Sequence, residues 1–254
     1  ACVDARDALQ RMMAPGLDSS RQRILVLADI HGNLEALRAV LDSTPHDVLL
    51  CLGDVVAYGP RPRECLELIW SSSQHVLLGN HEEHVLDAVK RLAVVNGSPG
   101  RQWDAWTAEE LGGEWLRRIA GLPRESTLMI DGAPCLLKHN IEGSRYFGAE
   151  LGDEEARRFL AQSGGANIFF GHSHAPFQKS MGGRFIANPG SIGQPRDRDP
   201  RASFILIENG VLSFQRLAYD VEATVRDLDR IPLSRPYLDL WGRFTRGGYV
   251  DLAE

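Results

Sequence analysis

No run of apolar residues in this chain approaches the roughly 18 or more that a membrane-spanning helix requires, so no membrane partner is expected. Residues 1–22 alternate charged and small side chains and lack the apolar stretch of a signal peptide. A cytoplasmic protein of bacterial type is the setting they suggest. Cysteine is scarce. The four present (Cys2, Cys51, Cys65 and Cys135) are far apart and form no CxxC. Cys51 and Cys135 sit in strand-like apolar runs, where buried reduced thiols are expected rather than disulfides. An excess of positive charge is also missing: 28 basic residues against 34 acidic ones give a net charge of −6. The one dense basic patch, residues 196–201 (RDRDPR), is interleaved with acids. A long nucleic acid is therefore not the expected partner, because phosphate contacts dominate such binding. A small phosphate ester stays open if bound metal ions reverse the local field. There are no internal repeats and no low-complexity segments.

With 254 residues, 43% of them hydrophobic, the chain can bury one sizeable core, as one domain with appendages. Strand and helix signals alternate from residue 23 onward. Residues 23–28 (RILVLA), 47–52 and 75–78 read as apolar strands. Helices are expected over 33–42, from Pro62 onward through Cys65, Leu66 and Ile69, and over 82–93. Residues 94–100 read as a loop. Residues 104–119 form a helical insertion with a possible break at Gly112-Gly113. Its stripe of Trp106, Leu111, Trp115 and Leu116 reads as core packing or a cap over the site rather than a nucleobase platform. Two strands around Asp131-Gly132, a helix over 153–162, a strand over 167–170 and hairpins turning at Gly182-Gly183 and Asn209-Gly210 follow. The tail is expected to be helical to about Arg230, then proline-broken and loosely specified. Continuous apolar strands alternating with helices indicate a sheet covered on both faces, with ligands at the carboxyl ends of its strands.

Five short clusters each follow an apolar run: Asp29-Ile30-His31, Gly53-Asp54, Gly79-Asn80-His81, Lys138-His139 and Gly171-His172-Ser173-His174. Their carboxylates, amide and imidazoles are metal ligands or proton donors. Two divalent ions about 3.5–4 Å apart can clamp both the attacking and the leaving oxygen of a phosphoryl displacement. Asp29 and His31, two apart at a strand end, can turn toward one ion. Asp54, at the end of the neighbouring strand, is the natural bridge, and Gly53 permits the tight turn before it. Asn80 offers a carbonyl oxygen, His81 can reach past the metals to substrate, and His172 and His174 suit one imidazole per ion. Two divalent ions against two carboxylates and a hydroxide leave residual positive charge for a phosphate ester. His46, His75 and His84 lack such context and are read as structural or surface residues.

In this order and spacing the clusters resemble the calcineurin-like metallophosphoesterase superfamily. GDVVAYGPRPREC (53–65) and NPGSIGQPRDRDPRAS (188–203) are similar to its bacterial diadenosine-tetraphosphatase or serine/threonine-phosphatase-like branch. The resemblance runs from about residue 23 to 220. It implies an α/β fold, a four-layer α/β/β/α sandwich of two mixed sheets flanked by helices. Residues 1–22 would be an N-terminal extension, 23–220 the metallophosphoesterase domain, and 221–254 a helical tail packed on it. Asp29, His31, Asp54 and His174 would hold one ion, and Asp54, Asn80, His139 and His172 the other. A metal-bridging hydroxide would attack phosphorus, while His81 binds the phosphoryl oxygens or protonates the leaving group. Two departures stand out: Asn140 follows His139 where a small residue is common, and Glu82 follows His81 where aspartate is frequent. Tyr58, Asn188, Ser191 and Arg196 would lie near the mouth of the site, and Tyr58 or Arg145 would touch substrate. Mn or Fe is the expected metal, with Zn, Co and Ni open. The implied activity is hydrolysis of a phosphodiester or nucleotide phosphoanhydride. A serine/threonine protein phosphatase and a non-catalytic scaffold are the alternatives.

Overall fold

A computed structural model describes residues 16–90, 99–141 and 151–247. Arg145 and Cys2 lie outside them. Two five-stranded mixed sheets pack face to face. The first has the order β10-β9-β1-β2-β3, from β1 (Ile24–Leu27), β2 (Val48–Cys51), β3 (His75–Val76), β9 (Ala202–Glu208) and β10 (Val211–Leu217). The second runs β4-β5-β6-β8-β7, from β4 (Glu125–Ile130), β5 (Ala133–Lys138), β6 (Asn167–Phe170), β7 (Phe177–Met181) and β8 (Arg184–Asn188). In the first sheet β1, β2 and β3 run parallel and β9 and β10 pair antiparallel on the other side; in the second β5, β6 and β8 run parallel, and β4 and β7 close the edges antiparallel.

Alternation along the strands builds the layers. Ile24 and Val26 of β1 face inward onto Leu137 and Phe169 of the second sheet. Leu25 and Leu27 face the other way, onto α1 (Leu34–Ser43) and α2 (Pro62–Ser72) through Leu37, Val40, Leu66 and Ile69. Successive strand side chains point to opposite faces, so a strand buried on both sides is a continuous apolar run, as β1 and β2 are and as β6 is from Ile168 onward. On the outer face of the second sheet, Ile168, Phe170 and Ile186 bury Phe159 and Leu160 of α5 (Asp153–Gln162). The result is the four-layer α/β/β/α sandwich.

Element bounds differ from the sequence reading where tertiary contacts intervene. The strand at His75 stops at Val76, because the Leu78 amide leaves the sheet to bond the Pro123 carbonyl. The helix after it, α3 (Asn80–Lys90), starts two residues early, which brings Asn80 and His81 into its first turn. The insertion, α4 (Pro99–Ala120), is broken at Gly112 (φ 68°, ψ 167°), a backbone conformation suited to glycine. Both hairpin turns read as Asp131-Gly132 and Asn209-Gly210 have positive φ at each residue.

The tail is the main correction. After α6 (Val221–Asp227) and a 3-10 turn (Leu228–Arg230), the chain forms a further helix, α7 (Arg235–Gly247). Pro236 sits in its first turn, where a missing N–H breaks nothing. Leu238, Trp241 and Phe244 recur on its buried side. Among the described residues, no helix is long and apolar enough to cross a membrane. Cys51, Cys65 and Cys135 are buried thiols.

Asn33 joins three parts of this fold. Its Oδ1 caps α1 by accepting the Ala36 amide (3.1 Å) and also accepts the Thr224 hydroxyl of α6 (2.8 Å). Its Nδ2 donates to the Gly193 carbonyl and the Tyr219 hydroxyl. All four hydrogen-bonding valences of the amide are thus used in a buried position. Asn33→Ala should lower unfolding free energy by about 3 kcal/mol, from a lost cap plus stranded buried partners, read as a reduced urea midpoint at unchanged slope.

Candidate metal centre

The clusters converge at the carboxyl ends of the central strands. Asp29 and His31 follow β1, Asp54 follows β2, Asn80 and His81 open α3, His139 follows β5, and His172 and His174 follow β6. Two groups of donors form, Asp29 with His31, Asp54 and His174, and Asp54 with His139 and His172. In each group the possible ligand atoms lie within 4.8 Å of one another. Asn80 joins the second group, its Oδ1 lying 3.0 Å from His139 Nε2 and 2.8 Å from His172 Nδ1. Asp54 belongs to both.

Backbone conformation is unusual at these positions. Asp29, His31, Asp54, His172 and His174 all have φ between 49° and 66°. A non-glycine residue held there costs on the order of 1–3 kcal/mol and persists only where its surroundings over-determine it. The glycines beside them serve close approach. A Cβ on Gly79 would collide with Asp54, and one on Gly53 (φ 99°) would come within 2.7 Å of the Gly79 amide.

The hydrogen bonds fix where the lone pairs point. His31, His139 and His174 each direct Nδ1 at a main-chain carbonyl, of Val56 (3.3 Å), Leu52 (2.9 Å) and Gln194 (2.6 Å). A carbonyl only accepts, so Nδ1 carries the proton and a neutral ring is left with a bare Nε2. Those bare nitrogens face further acceptors. His31 Nε2 lies 3.1 Å from His174 Nε2, His174 Nε2 lies 3.4 Å from Asp29 Oδ1, and His139 Nε2 lies 3.1 Å from Asp54 Oδ2. Lone pairs facing lone pairs in a buried space repel unless a metal ion, or a proton such as the one His139 holds toward Asp54, lies among them. Separations of this size suit ligands about 2.0–2.2 Å from a shared ion. Carbonyl-anchored imidazoles are also the usual outer support of metal-binding histidines. The donor set therefore fits two divalent ions.

Asp54 divides its labour. Oδ1 accepts the His81 amide (2.8 Å), capping α3, while buried Oδ2 has no hydrogen-bond donor and faces His139 Nε2 and, at 3.9 Å, His31 Nε2. An oxygen between the two imidazole groups is where a bridging ligand belongs.

Charge tells the same story. Burial pushes the Asp29 carboxyl up to about 8 against the pull of His139. Burial would also raise Asp54, but His139, His81 and His31 outweigh it and hold that carboxyl well below its usual range. Burial opposes a charge on His139, yet Asp54 and Asp29 drive it up to about 10. Burial takes His31 and His174 well below the usual imidazole range, and His172 down to about 4. Without ions, protons on Asp29 and His139 are what offset the crowded carboxylates, a field that favours cations.

His81 stands beside the donors without joining either group. Its ring stands at 84° to that of His31 (centroids 5.0 Å) and at 63° to that of Tyr58 (4.5 Å). Burial lowers it to about 4, so it is a neutral hydrogen-bond donor at pH 7. Exposed His84, read as surface or structural, nevertheless lies edge-on to His81 at 5.2 Å. Tyr58 also reaches His31, at 5.3 Å. Asn188 and Ser191 lie behind the site rather than at its mouth. Asn188 Nδ2 donates to the Gly171 carbonyl and to Ser173 Oγ, and Ser191 Oγ donates to the Asp29 carbonyl. Arg196 is half-buried; its amide meets the His174 carbonyl (3.4 Å), and its charge acts on Asp29, His31, His81, His172 and His174.

Glu82 is the residue whose role the sequence reading missed. Its carboxylate is fully buried and accepts four main-chain amides: Asp54 (2.9 Å), Val55 (2.7 Å), Val56 (3.2 Å) and Gly79 (2.8 Å). One side chain thus ties the Gly-Asp turn after β2 to the turn before α3. Burial and the Asp54 charge push its pKa up to about 7, and the amide bonds pull it down. The available signal was a carboxylate two residues after a ligand. Glu82→Gln replaces one acceptor oxygen by an NH2 facing two amides. Metal affinity should fall by about 10–100-fold, read by titrating metal into the apoprotein.

Residues 22–176 match the family model for calcineurin-like phosphoesterases. An uncharacterised protein of Methanocaldococcus jannaschii is 29% identical over 243 residues, 84% of this chain and 95% of that protein. Two shorter matches are to proteins of named activity. A symmetrical bis(5'-nucleosyl)-tetraphosphatase of Vibrio parahaemolyticus is 40% identical over 67 residues, 24% of this chain and 25% of that protein. Serine/threonine-protein phosphatase 1 of Salmonella typhimurium is 29% identical over 102 residues, 39% of this chain and 42% of that protein. The crystal structure of a metallophosphoesterase from Sphaerobacter thermophilus superposes with a TM-score of 0.71 at 29% identity, covering 89% of this chain and 98% of that one. With the matched segment spanning all five clusters up to His174, the chain belongs to the calcineurin-like phosphoesterase family.

Proposed function

We propose that this protein is a binuclear metal-dependent phosphoesterase that hydrolyses phosphodiesters or nucleotide phosphoanhydrides. The observation that carries the reading is the unpartnered Oδ2 of Asp54, shared by two groups of carbonyl-anchored imidazoles. Asp29, His31, Asp54 and His174 would hold one ion, and Asp54, Asn80, His139 and His172 the other. Bound there, the ions would supply Lewis acidity toward the attacking water and the phosphoryl oxygens.

The chain's own residues do the rest. The new P–O bond forms from the water oxygen as the bond to the leaving oxygen breaks, and the leaving oxygen takes up a proton. His81, neutral and beside the donor groups, is set to hydrogen-bond a phosphoryl oxygen through its N–H, and the proton given up by the attacking water passes to the leaving oxygen, directly or by way of this ring. Negative charge on a bound phosphate raises the proton affinity of that ring. Arg196 adds a fixed positive charge at the same place.

The short match to a dinucleotide tetraphosphatase supports a small substrate. The match to a serine/threonine phosphatase supports the second reading, hydrolysis of a phosphoprotein. A non-catalytic scaffold has no such support, since all seven candidate ligands converge with their donor atoms aligned.

Turnover of bis(p-nitrophenyl) phosphate, p-nitrophenyl phosphate, a dinucleoside tetraphosphate and a phosphopeptide, each with Mn, Fe, Co and Zn, separates these readings. The diester and the tetraphosphate should be cleaved fastest; no diester or anhydride turnover with any metal would sink the first reading. His81→Ala should keep both metals and lose about 10²–10⁴-fold in kcat. Asp54→Asn should lose metal together with rate, and full occupancy of both sites would contradict the bridge.

A further inference from the structure

An unbroken aromatic column runs from the C-terminal helix to the metal cluster. Phe244 stacks on Trp241 (centroids 5.0 Å, 27°), and Trp241 stacks on Tyr58 (4.2 Å, 24°). Tyr58 meets the rings of His81 at 4.5 Å and His31 at 5.3 Å. Trp103 of α4, fully buried, closes the column from the side, 5.9 Å from Tyr58 and 5.4 Å from Trp241. Trp241 itself is only 9% exposed, so it offers no open face to a ligand. Its contacts are already taken.

We propose that α7 is a positioning element of the active site: Trp241, acting through Tyr58, holds the His81 ring in its working orientation. The inference rests on the phosphoesterase reading and adds to it a part of the chain outside the family-model match, which contains Tyr58 but ends at residue 176.

Two independent features support it. Ala57 and Tyr58 are consecutive non-glycine residues with φ of 67° and 63°, so the chain departs from ordinary backbone to put this ring where it is. Such a conformation persists only if the surroundings enforce it, and the Trp241 stack lies directly on it. The second feature is His81 itself. Its buried Nδ1 has no hydrogen-bond partner, whereas Nδ1 of His31, His139 and His174 is anchored to a carbonyl. Ring packing by Tyr58, His31 and His84 therefore sets the orientation that a carbonyl sets for the ligands.

The helix that supplies Trp241 is tied to the loops that carry the site. Arg246 pairs with both carboxylate oxygens of Glu222 (2.6 and 2.7 Å), linking α7 to α6. In turn, α6 bonds Asn33 through Thr224, and Asp227 pairs with Arg61 at 2.6 Å. Asn33 and Arg61 flank His31 and Tyr58 in sequence. Movement of the tail is thereby transmitted to both sides of the column.

The test compares Trp241→Ala, Trp241→Phe, Tyr58→Leu and Tyr58→Phe in the full chain, each checked for folding by circular dichroism. Trp241→Ala should lower diester kcat by about tenfold or more with KM and metal content near wild type, because a small displacement of a reacting group is costly. Trp241→Phe, which restores a stacking ring, should recover most of the rate. Tyr58→Phe, which keeps the ring and drops the hydroxyl, should recover most of the rate that Tyr58→Leu loses. A second readout needs no turnover: in Mn-loaded protein, diethyl pyrocarbonate should modify His81 several-fold faster in Trp241→Ala than in wild type. Should Trp241→Ala not fold, Tyr58→Leu removes the ring from the column while leaving α7 in place, and should show the same rate loss and unmasking. Wild-type kcat and wild-type protection of His81 in either folded variant would overturn the proposal. A wild-type protein with no phosphoesterase activity would defeat the functional reading instead, and the modification of His81 would still decide this one.

Discussion

Everything at this site hangs on the two oxygens of Asp54. One caps α3 through the His81 amide, and so fixes where Asn80 and His81 stand. The other is left without a donor between imidazoles that have turned their own protons away. Glu82, from α3, returns the constraint by gripping the amides of Asp54, Val55, Val56 and Gly79. The turn after β2 and the start of α3 therefore specify one another. Both are held by charge-assisted hydrogen bonds in a buried setting, where such bonds are strongest.

The rest of the fold serves to bring distant strands to that point. β1, β2 and β6 are buried on both faces and β5 buries Cys135 and Leu137 on one, which fixes their register and aligns their carboxyl ends. The loop after β8 threads behind Asp29. Ser191 bonds the Asp29 carbonyl, and Gln194 offers its own carbonyl to His174. Asn33 then ties that loop to α6. The candidate site is thus braced by the fold's own hydrogen bonds, as preorganisation requires.

Much of this was legible in the sequence. The apolar runs ending in Asp29-Ile30-His31, Gly53-Asp54, Lys138-His139 and Gly171-His172 mark strand ends because period-two burial makes such strands continuous. Asp131-Gly132 and Asn209-Gly210 marked turns because both positions need positive φ. Other features had no local signature. Pro236 reads as a breaker until its place in a first helical turn is known, so the expected helical tail carries no sign of where α7 begins. The stripe at Trp106, Leu111 and Trp115 reads as either core or cap from its spacing, and its residues divide between two packed groups. Leu111 and Trp115 join the main core, while Trp106 joins the aromatic group with Trp103, Trp241 and Tyr58. Glu82 looked like a one-methylene departure because its four partners are main-chain amides, which no residue pattern reveals. Asn188 and Ser191 pointed to the right loops, but their side chains turn inward to brace them.

The central claim is that the facing lone pairs around Asp54 are reconciled by two cations. Crystals of the protein grown with Mn2+, measured on both sides of the Mn absorption edge, address it most directly. The account predicts two anomalous peaks, one among Asp29, His31 and His174 and one among Asn80, His139 and His172, with Asp54 Oδ2 between them. A single peak, or none with the imidazoles still in these positions, would contradict it.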